Sequence, residues 1–262
     1  MRTLELVDAH SGVEFGFDVP LATRRAGASD RLVLVLPGVE RVVENEAFVE
    51  RLAERFTVVM PSHPGFGLSP RPAWCTDVTD LADLYLEWLQ RSGHDDVTVV
   101  GLQFGGWVAL EMAVRRPRNL TRLVLVDSFG IKLGGVTDRE FVDVFATDRD
   151  RLEHLTFADP SHALGDLGQA DLGTVLEVTR NEEALAVYGW QPYLHNPSLI
   201  HALDRIDVPT DVVWGERDGI VSADHGRGLS ERLRDARFHV IPDAGHRPQV
   251  ERPDEVARLI AG

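Results

Sequence analysis

Gln103 lies at the centre of a glycine-rich segment, Gly-Leu-Gln-Phe-Gly-Gly at 101–106. The segment joins an apolar strand at 97–100 to an apolar helix that starts near Gly105. A strand that turns sharply into a helix through such glycines is the frame of a nucleophile elbow, whose central residue normally attacks carbon. A carboxamide nitrogen is not a nucleophile at neutral pH. The segment therefore predicts the elbow geometry and removes covalent catalysis at its centre.

Two further residues with chemical potential follow later apolar strands. Asp218 lies in Gly-Glu-Arg-Asp-Gly after a strand at 210–214, and His246 lies in Asp-Ala-Gly-His-Arg-Pro after a strand at 237–241. Open α/β sheets build their sites from the loops at the carboxyl ends of the parallel strands. An imidazole and a carboxylate that meet there can move protons by general acid–base catalysis.

Strands and helices alternate along the chain and must position these residues. Apolar runs predict buried strands at 31–36, 57–60, 97–100 and 123–126, and two further strands are predicted at 210–214 and 237–241. Helices are predicted at 44–56, 76–91, 105–116, 223–233 and 253–260. An antiparallel hairpin of 4–7 and 13–19 precedes them. The alternation predicts a parallel sheet with right-handed crossovers and helices on both faces.

The strand rhythm stops in the segment 131–201. Its apolar residues recur at helical spacing at 141–145 and at 172–178, between polar loops. We predict that this segment is a helical lid inserted after the sixth strand. The core would then consist of 1–130 and 202–262.

Four motifs together resemble the α/β-hydrolase superfamily over nearly the whole chain. They are Leu36-Pro37-Gly38 in the oxyanion loop, Gly65-Phe66-Gly67-Leu68-Ser69, the segment at 101–106, and the pair of Asp218 and His246. The order of nucleophile position, acid and histidine is the one that these enzymes use. The chain looks most similar to the lid-bearing carbon–carbon hydrolases, esterases and haloperoxidase-like enzymes. The resemblance implies an α/β-hydrolase fold, with a mostly parallel eight-stranded sheet flanked by helices.

The resemblance also implies roles for single residues. His246 would be the general base, and Asp218 would orient it and stabilise its protonated form. The backbone amides of Val39 and Phe104 would stabilise a developing oxyanion, with Gly38 in the same loop. The family usually has His-Gly in this loop where this chain has Pro-Gly.

Gln103 is open to three interpretations. As a plug, its carbonyl would accept hydrogen bonds from the oxyanion amides while its NH2 group donates toward His246. As a positioning residue, it would hold a water or a substrate oxygen while His246 moves the proton. In the third interpretation, it marks a lost activity.

Three other residues have alternative roles near the expected site. His63 follows a strand and would contact the substrate or make a loop hydrogen bond. Trp190 lies where the lid returns to the core and would recognise the substrate or pack. Asp127 would be a competing acid or would cap the entrance to the lid.

Composition excludes several classes of partner. The net charge of −15 disfavours nucleic acid and anionic membrane, which both need a basic face. The single cysteine, Cys75, fits a reducing compartment, and the chain shows neither a signal-peptide pattern nor 18 consecutive apolar residues. We therefore expect a cytoplasmic protein. No cofactor motif appears, and the histidines have no metal-ligand spacing.

Together these features predict an enzyme that acts without a covalent serine intermediate on a small apolar carbonyl or ester-type substrate. Hydrolysis, carbon–carbon or lyase-type cleavage, and cyclisation or rearrangement all fit this chemistry. The alternatives are a ligand-binding homologue that has lost turnover, and a serine hydrolase inactivated by replacement of serine with glutamine.

Overall fold

A mostly parallel sheet of seven strands lies at the centre of the computed structural model, which describes residues 13–135 and 137–262. The described strands are β1 (Val13–Phe15), β2 (Val19–Leu21), β3 (Thr23–Ala26), β4 (Leu32–Leu36), β5 (Thr57–Pro61), β6 (Val97–Leu102), β7 (Leu120–Val126), β8 (Thr210–Gly215) and β9 (Ala236–Ile241). The large sheet has the order β3-β5-β4-β6-β7-β8-β9. β3 runs antiparallel to β5, and the other neighbours are parallel.

The predicted parallel sheet is confirmed, but the described part of the large sheet has seven strands and not eight. Residues 13–19 do not form one strand, because Phe17 and Asp18 turn the chain with φ values of 60° and 56°. β1 and β2 therefore pair with each other as a separate small sheet. β3 joins the large sheet as an antiparallel edge strand beside β5. The predicted strand at 4–7 lies outside the described residues.

Helices cover both faces of the sheet. They are α1 (Glu46–Ala53), α2 (Val78–Arg91), α3 (Phe104–Ala113), α4 (Arg149–Thr156), α5 (Leu172–Gly189), α6 (Ala223–Ser230), α7 (Pro248–Glu251) and α8 (Pro253–Ala261). α1 and α8 pack on one face, and α2 and α3 pack on the other. β4 supplies Val33 and Val35 to the core on the side of α1 and α8. It supplies Leu34 and Leu36 to the core on the side of α2 and α3, because successive residues of a strand point to opposite faces. No helix of the described residues is long and apolar enough to cross a membrane.

The segment between β7 and β8 departs from the strand–helix alternation, as predicted, and carries α4 and α5. Helical spacing at 172–178 correctly predicts part of α5. The segment 141–145 is not an α-helix. Its Val142 amide donates to the backbone oxygen of Ile220 at 3.0 Å, so this piece lies against the loop that follows β8.

Candidate active site

The turn between β6 and α3 gives Gln103 a backbone conformation that residues other than glycine rarely adopt, with φ 44° and ψ −104°. A Cβ atom on Gly101 would lie 2.5 Å from the Cα atom of Gly106, and one on Gly105 would collide with the backbone carbonyl of Leu36. The strand and the helix thus cross too closely for side chains at these glycines. Such a backbone conformation costs about 1–3 kcal/mol and persists only where packing enforces it. The predicted sharp strand-to-helix turn is confirmed.

His246 and Asp218 form a buried hydrogen-bonded pair beyond the ends of β9 and β8. His246 Nδ1 lies 2.8 Å from Asp218 Oδ2. Oδ1 of the same carboxylate accepts from the backbone amides of Ile220 at 2.8 Å and Val221 at 3.0 Å. Because a carboxylate only accepts, Nδ1 carries the hydrogen and Nε2 is the atom that can take up a proton.

Asp127, the competing acid, is bound to the backbone of the neighbouring strand. It is fully buried, and its Oδ1 accepts from the Gly215 amide at 3.0 Å. Burial, followed by the charge of Asp218, raises the pKa of Asp127 well above its ordinary value. Ligating atoms of Asp127, Asp218 and His246 lie within 4.8 Å of one another, and two of these residues are joined by the Nδ1–Oδ2 hydrogen bond. We describe the cluster as a histidine with two acids and not as a metal site.

The side-chain amide of Gln103 is held by two hydrogen bonds. Its Nε2 donates to the backbone oxygen of His246 at 3.1 Å and to Oε1 of Gln249 at 3.3 Å. Its Oε1 is buried and accepts no hydrogen bond from residues 13–135 or 137–262. The plug interpretation requires this oxygen to accept from the oxyanion amides, and that arrangement is not formed. The NH2 group contacts the main chain of His246 and not its ring.

The three amides predicted near an oxyanion differ in their surroundings. The Gly38 amide donates to Oε1 of Glu40 at 3.1 Å, so it is committed to an internal carboxylate. Phe104 is the first residue of α3, where an amide has no acceptor within the helix. Val39 lies in the oxyanion loop, and its carbonyl accepts from Asn181 at 2.9 Å. Phe104 and Val39 therefore remain the candidate donors.

A cavity of about 380 Å³ opens beside these residues. Gln103, His246 and Val39 lie in its wall. The segment between β7 and β8 contributes apolar side chains, which include Phe145, Phe157, Val178 and Leu185. Charged groups complete the wall: Glu40, Glu44, Glu153, Glu182, Arg41, Arg149 and Arg247. A cavity of this size fits a small molecule that is held by mostly apolar contacts.

A family model described as the alpha/beta hydrolase family matches residues 33–259, which is most of the chain. The chain belongs to this family. The predicted α/β-hydrolase fold is thereby confirmed, with seven strands in the described part of the sheet.

Similar proteins include several hydrolases. A 2-hydroxymuconate semialdehyde hydrolase from Pseudomonas putida is 27% identical over 235 residues, which cover 80% of this chain and 77% of the relative. The dihydrolipoyllysine-residue acetyltransferase component of an acetoin cleaving system from Cupriavidus necator is 27% identical over 90% of this chain, which spans only 64% of that protein. The structure of a meta-cleavage product hydrolase from Pseudomonas fluorescens IP01 superposes with a TM-score of 0.76 at 19% identity, over 95% of this chain and 96% of that one. At that identity the likeness shows the fold alone.

Two predicted substrate contacts of this alpha/beta hydrolase lie away from the cavity wall. His63 is fully buried, with Nδ1 2.7 Å from the Tyr85 hydroxyl and Nε2 3.0 Å from the Pro37 carbonyl. Burial lowers the pKa of His63 to about 4, so the ring is neutral and supports the oxyanion loop from behind. Trp190, which directly follows α5, is 61% exposed and packs against Phe145.

Polar contacts tie the inserted helices of this alpha/beta hydrolase to the site loops. Asn181 of α5 donates to the Val39 carbonyl at 2.9 Å and accepts from the Gly67 amide at 2.7 Å. At the end of α4, the Thr156 carbonyl accepts from the His246 amide at 2.7 Å. Both the oxyanion loop and the histidine loop are therefore positioned by the segment between β7 and β8.

A buried polar network behind Gln103 was not predicted. Gln249 Nε2 donates to Asn45 Oδ1 at 3.2 Å, and Asn45 Nδ2 donates to Glu40 Oε1 at 3.0 Å. Glu40, Asn45 and Gln249 are all buried. One signal was available, because Glu40 follows Gly38 by two residues at the end of a buried strand. Asn45 and Gln249 carry no such signal, since a buried amide and an exposed one look alike in sequence.

Proposed function

We propose that this alpha/beta hydrolase is an enzyme that acts on a small, fairly apolar carbonyl or ester-type compound without a covalent serine intermediate. One observation carries the proposal: the buried pair of His246 and Asp218, joined at 2.8 Å, lies beside the same cavity as Gln103. Gln103 cannot attack carbon, whereas the histidine is oriented to move protons.

The proposed reaction uses water that is held beside His246. Nε2 of His246 takes a proton from this water as the water oxygen adds to the carbonyl carbon, and Asp218 stabilises the imidazolium. The backbone amides of Val39 and Phe104 stabilise the negative charge that develops on the substrate oxygen. His246 then returns its proton to the leaving group. Gln103 positions the water, which donates an O–H hydrogen bond to Oε1.

This mechanism limits the substrate class. General base catalysis by a positioned histidine typically contributes about 10²–10⁴-fold in rate. That is enough for an activated ester, a labile carbon–carbon bond, an elimination or a cyclisation, and it is too little for an unactivated amide. The Pseudomonas putida relative is by name a semialdehyde hydrolase, which supports a small carbonyl compound as the substrate.

The segment 131–201 would serve as the lid over this site, with 1–130 and 202–262 as the core. Its apolar side chains in the cavity wall, such as Phe145 and Val178, support that division. Such a wall excludes bulk water and strengthens every electrostatic interaction inside the site.

A ligand-binding protein without turnover is the second candidate. The hydrogen bond from the Gly38 amide to Glu40 favours it, because the oxyanion loop then offers one donor fewer to a substrate. A serine hydrolase inactivated by a glutamine at position 103 is a related alternative, since the fold and the His246–Asp218 pair are in place.

A fluorophosphonate probe tests the absence of a covalent nucleophile. The proposal predicts no serine labelling in the wild-type protein, because the elbow carries Gln103. The matched control is Gln103→Ser, which should be labelled at position 103 if the elbow and the oxyanion donors are intact. Labelling of a wild-type serine, read by peptide mass spectrometry, would refute the proposed mechanism. A gain of strong esterase activity in Gln103→Ser would favour the inactivated serine hydrolase.

A further inference from the structure

Two buried oxygen atoms converge at Gly38. They are Oε2 of Glu40, a residue 5% exposed, and Oε1 of Gln103, a residue 2% exposed. Neither oxygen has a hydrogen-bond partner in the described part of the chain. A Cβ atom built on Gly38 would collide with both oxygens, so they border the same small volume. Buried acceptors normally have a donor, and two adjacent acceptors without one indicate a binding site for a donor.

The direction of the hydrogen bonds identifies the oxygen, and not the nitrogen, as the unpartnered atom of the Gln103 amide among the described residues. The backbone carbonyl of His246 can only accept, so the atom of Gln103 that faces it is the nitrogen. At the other end of the network, the Asn45 NH2 group donates to Glu40, and the Asn45 oxygen accepts from the NH2 group of Gln249. The oxygen of Gln249 must then accept from Gln103, so the nitrogen of Gln103 faces Gln249 as well. Both ends of the network therefore require Oε1 of Gln103 to face Gly38.

Glu40 also differs from the other acids of the cavity in its charge balance. The other acids each pair with arginine: Glu44 with Arg41 and Arg247, and Glu153 and Glu182 with Arg149. Glu40 has no ion-pair partner among the residues that the structure describes, and its Oε1 accepts from the neutral amides of Gly38 and Asn45. A carboxylate in this position favours a donor that is strongly polarised or cationic.

We propose that Glu40 and Gln103, which both line the cavity, bind a hydrogen-bond donor between Oε2 and Oε1. The donor is a hydroxyl or ammonium group of the substrate, or the water that the reaction consumes. This inference rests on the proposed location of the active site in this cavity. It narrows the substrate to a carbonyl compound that carries a donor, unless water itself fills the site.

Three small probes of similar shape test the inference by binding. Benzyl alcohol and benzylamine each carry a donor, and benzyl methyl ether does not. In NMR titrations of the wild-type protein, we expect the alcohol or the amine to bind about tenfold more tightly than the ether, which corresponds to about 1.4 kcal/mol. In Glu40→Gln, the new amide can donate to Gln103 itself, so this preference should disappear. Glu182→Gln is the matched control, since Glu182 lies in the same cavity wall and pairs with Arg149.

The two sources of the donor give different results. If water is the donor, the three probes bind equally, and a crystal structure shows a water within hydrogen-bonding distance of both oxygens that is lost in Glu40→Gln. Equal binding without that water would overturn the inference, as would a donor preference that persists in Glu40→Gln. The wild-type comparison does not depend on the folding of a variant. Because the readout is binding, a protein that prefers donors but never turns over would refute the proposed enzyme and leave this inference standing.

Discussion

At the scale of single residues, hydrogen-bond partners decide which groups remain available for chemistry. His63 uses both ring nitrogens and Gly38 uses its amide, so both serve the internal structure. His246 binds Asp218 through Nδ1, which leaves Nε2 as the proton acceptor. Gln103 donates through Nε2 and directs an unpartnered oxygen toward Gly38. The proposed chemistry depends on those two remaining atoms.

The burial of His63 predicts a loss of stability in acid. Its pKa is lowered from an ordinary 6.5 to about 4 by burial. Between these values the unfolded chain binds a proton that the folded chain does not, so the free energy of unfolding falls as the pH falls. The full shift corresponds to about 3 kcal/mol. His63→Gln, which cannot titrate, should lose this part of the pH dependence in urea unfolding between about pH 7 and pH 4. Equal slopes for both proteins would contradict the assignment.

Residue roles could be predicted where a side chain follows a recognisable strand end. Asp218 and His246 do so, and the structure brings them together as expected. Asn181 and Gln249 could not be identified as site residues, because their partners lie elsewhere in the fold and their local patterns match those of exposed polar residues. For His63 the sequence left open a substrate contact or a loop hydrogen bond, because only tertiary packing buries the ring against Tyr85 and Pro37.

At the scale of elements, the periodicity of apolar residues predicts the core and is less informative about the insertion. β4 is a continuous apolar run, and β6 is apolar apart from Thr98; both are buried on both faces, as such runs predict. The segment 141–145 has helical spacing, yet contacts with the loop after β8 hold it outside an α-helix. α5 matters for the site because Asn181 ties it to two loops at once.

Loss of the Asn181 side chain tests how far α5 positions the oxyanion loop. Asn181→Ala leaves the Val39 carbonyl and the Gly67 amide without their partner, which should destabilise the protein by about 1–3 kcal/mol. It should also lower kcat/KM on any substrate, because Val39 is a proposed oxyanion donor. Glu183→Ala, on the exposed side of the same helix, should change stability by less than about 0.5 kcal/mol. Similar effects of the two substitutions in denaturant unfolding would show that α5 does not position the loop through Asn181.

At the scale of the whole molecule, the sheet brings the carboxyl ends of β4, β6, β8 and β9 to one side, and the segment between β7 and β8 contributes side chains to the wall of the cavity there. The family match over 33–259 accounts for why the fold could be predicted from four short motifs. Those motifs lie in loops whose backbone geometry the sheet dictates. The substrate could not be predicted in the same way, because the cavity wall combines side chains from distant parts of the chain. The net charge of −15 still predicts that nucleic acid is not a partner.

The effect of His246→Ala on turnover tests the central claim most directly. We would measure kcat/KM for para-nitrophenyl acetate and for a panel of carbonyl compounds with both proteins, and would measure the binding of benzyl alcohol alongside. Removal of the proton acceptor should lower kcat/KM by about 10²–10⁴-fold, with the affinity for benzyl alcohol unchanged. A wild-type rate that survives the substitution, or a wild-type protein that binds the probe and turns over none of the panel, would contradict catalysis by the His246–Asp218 pair.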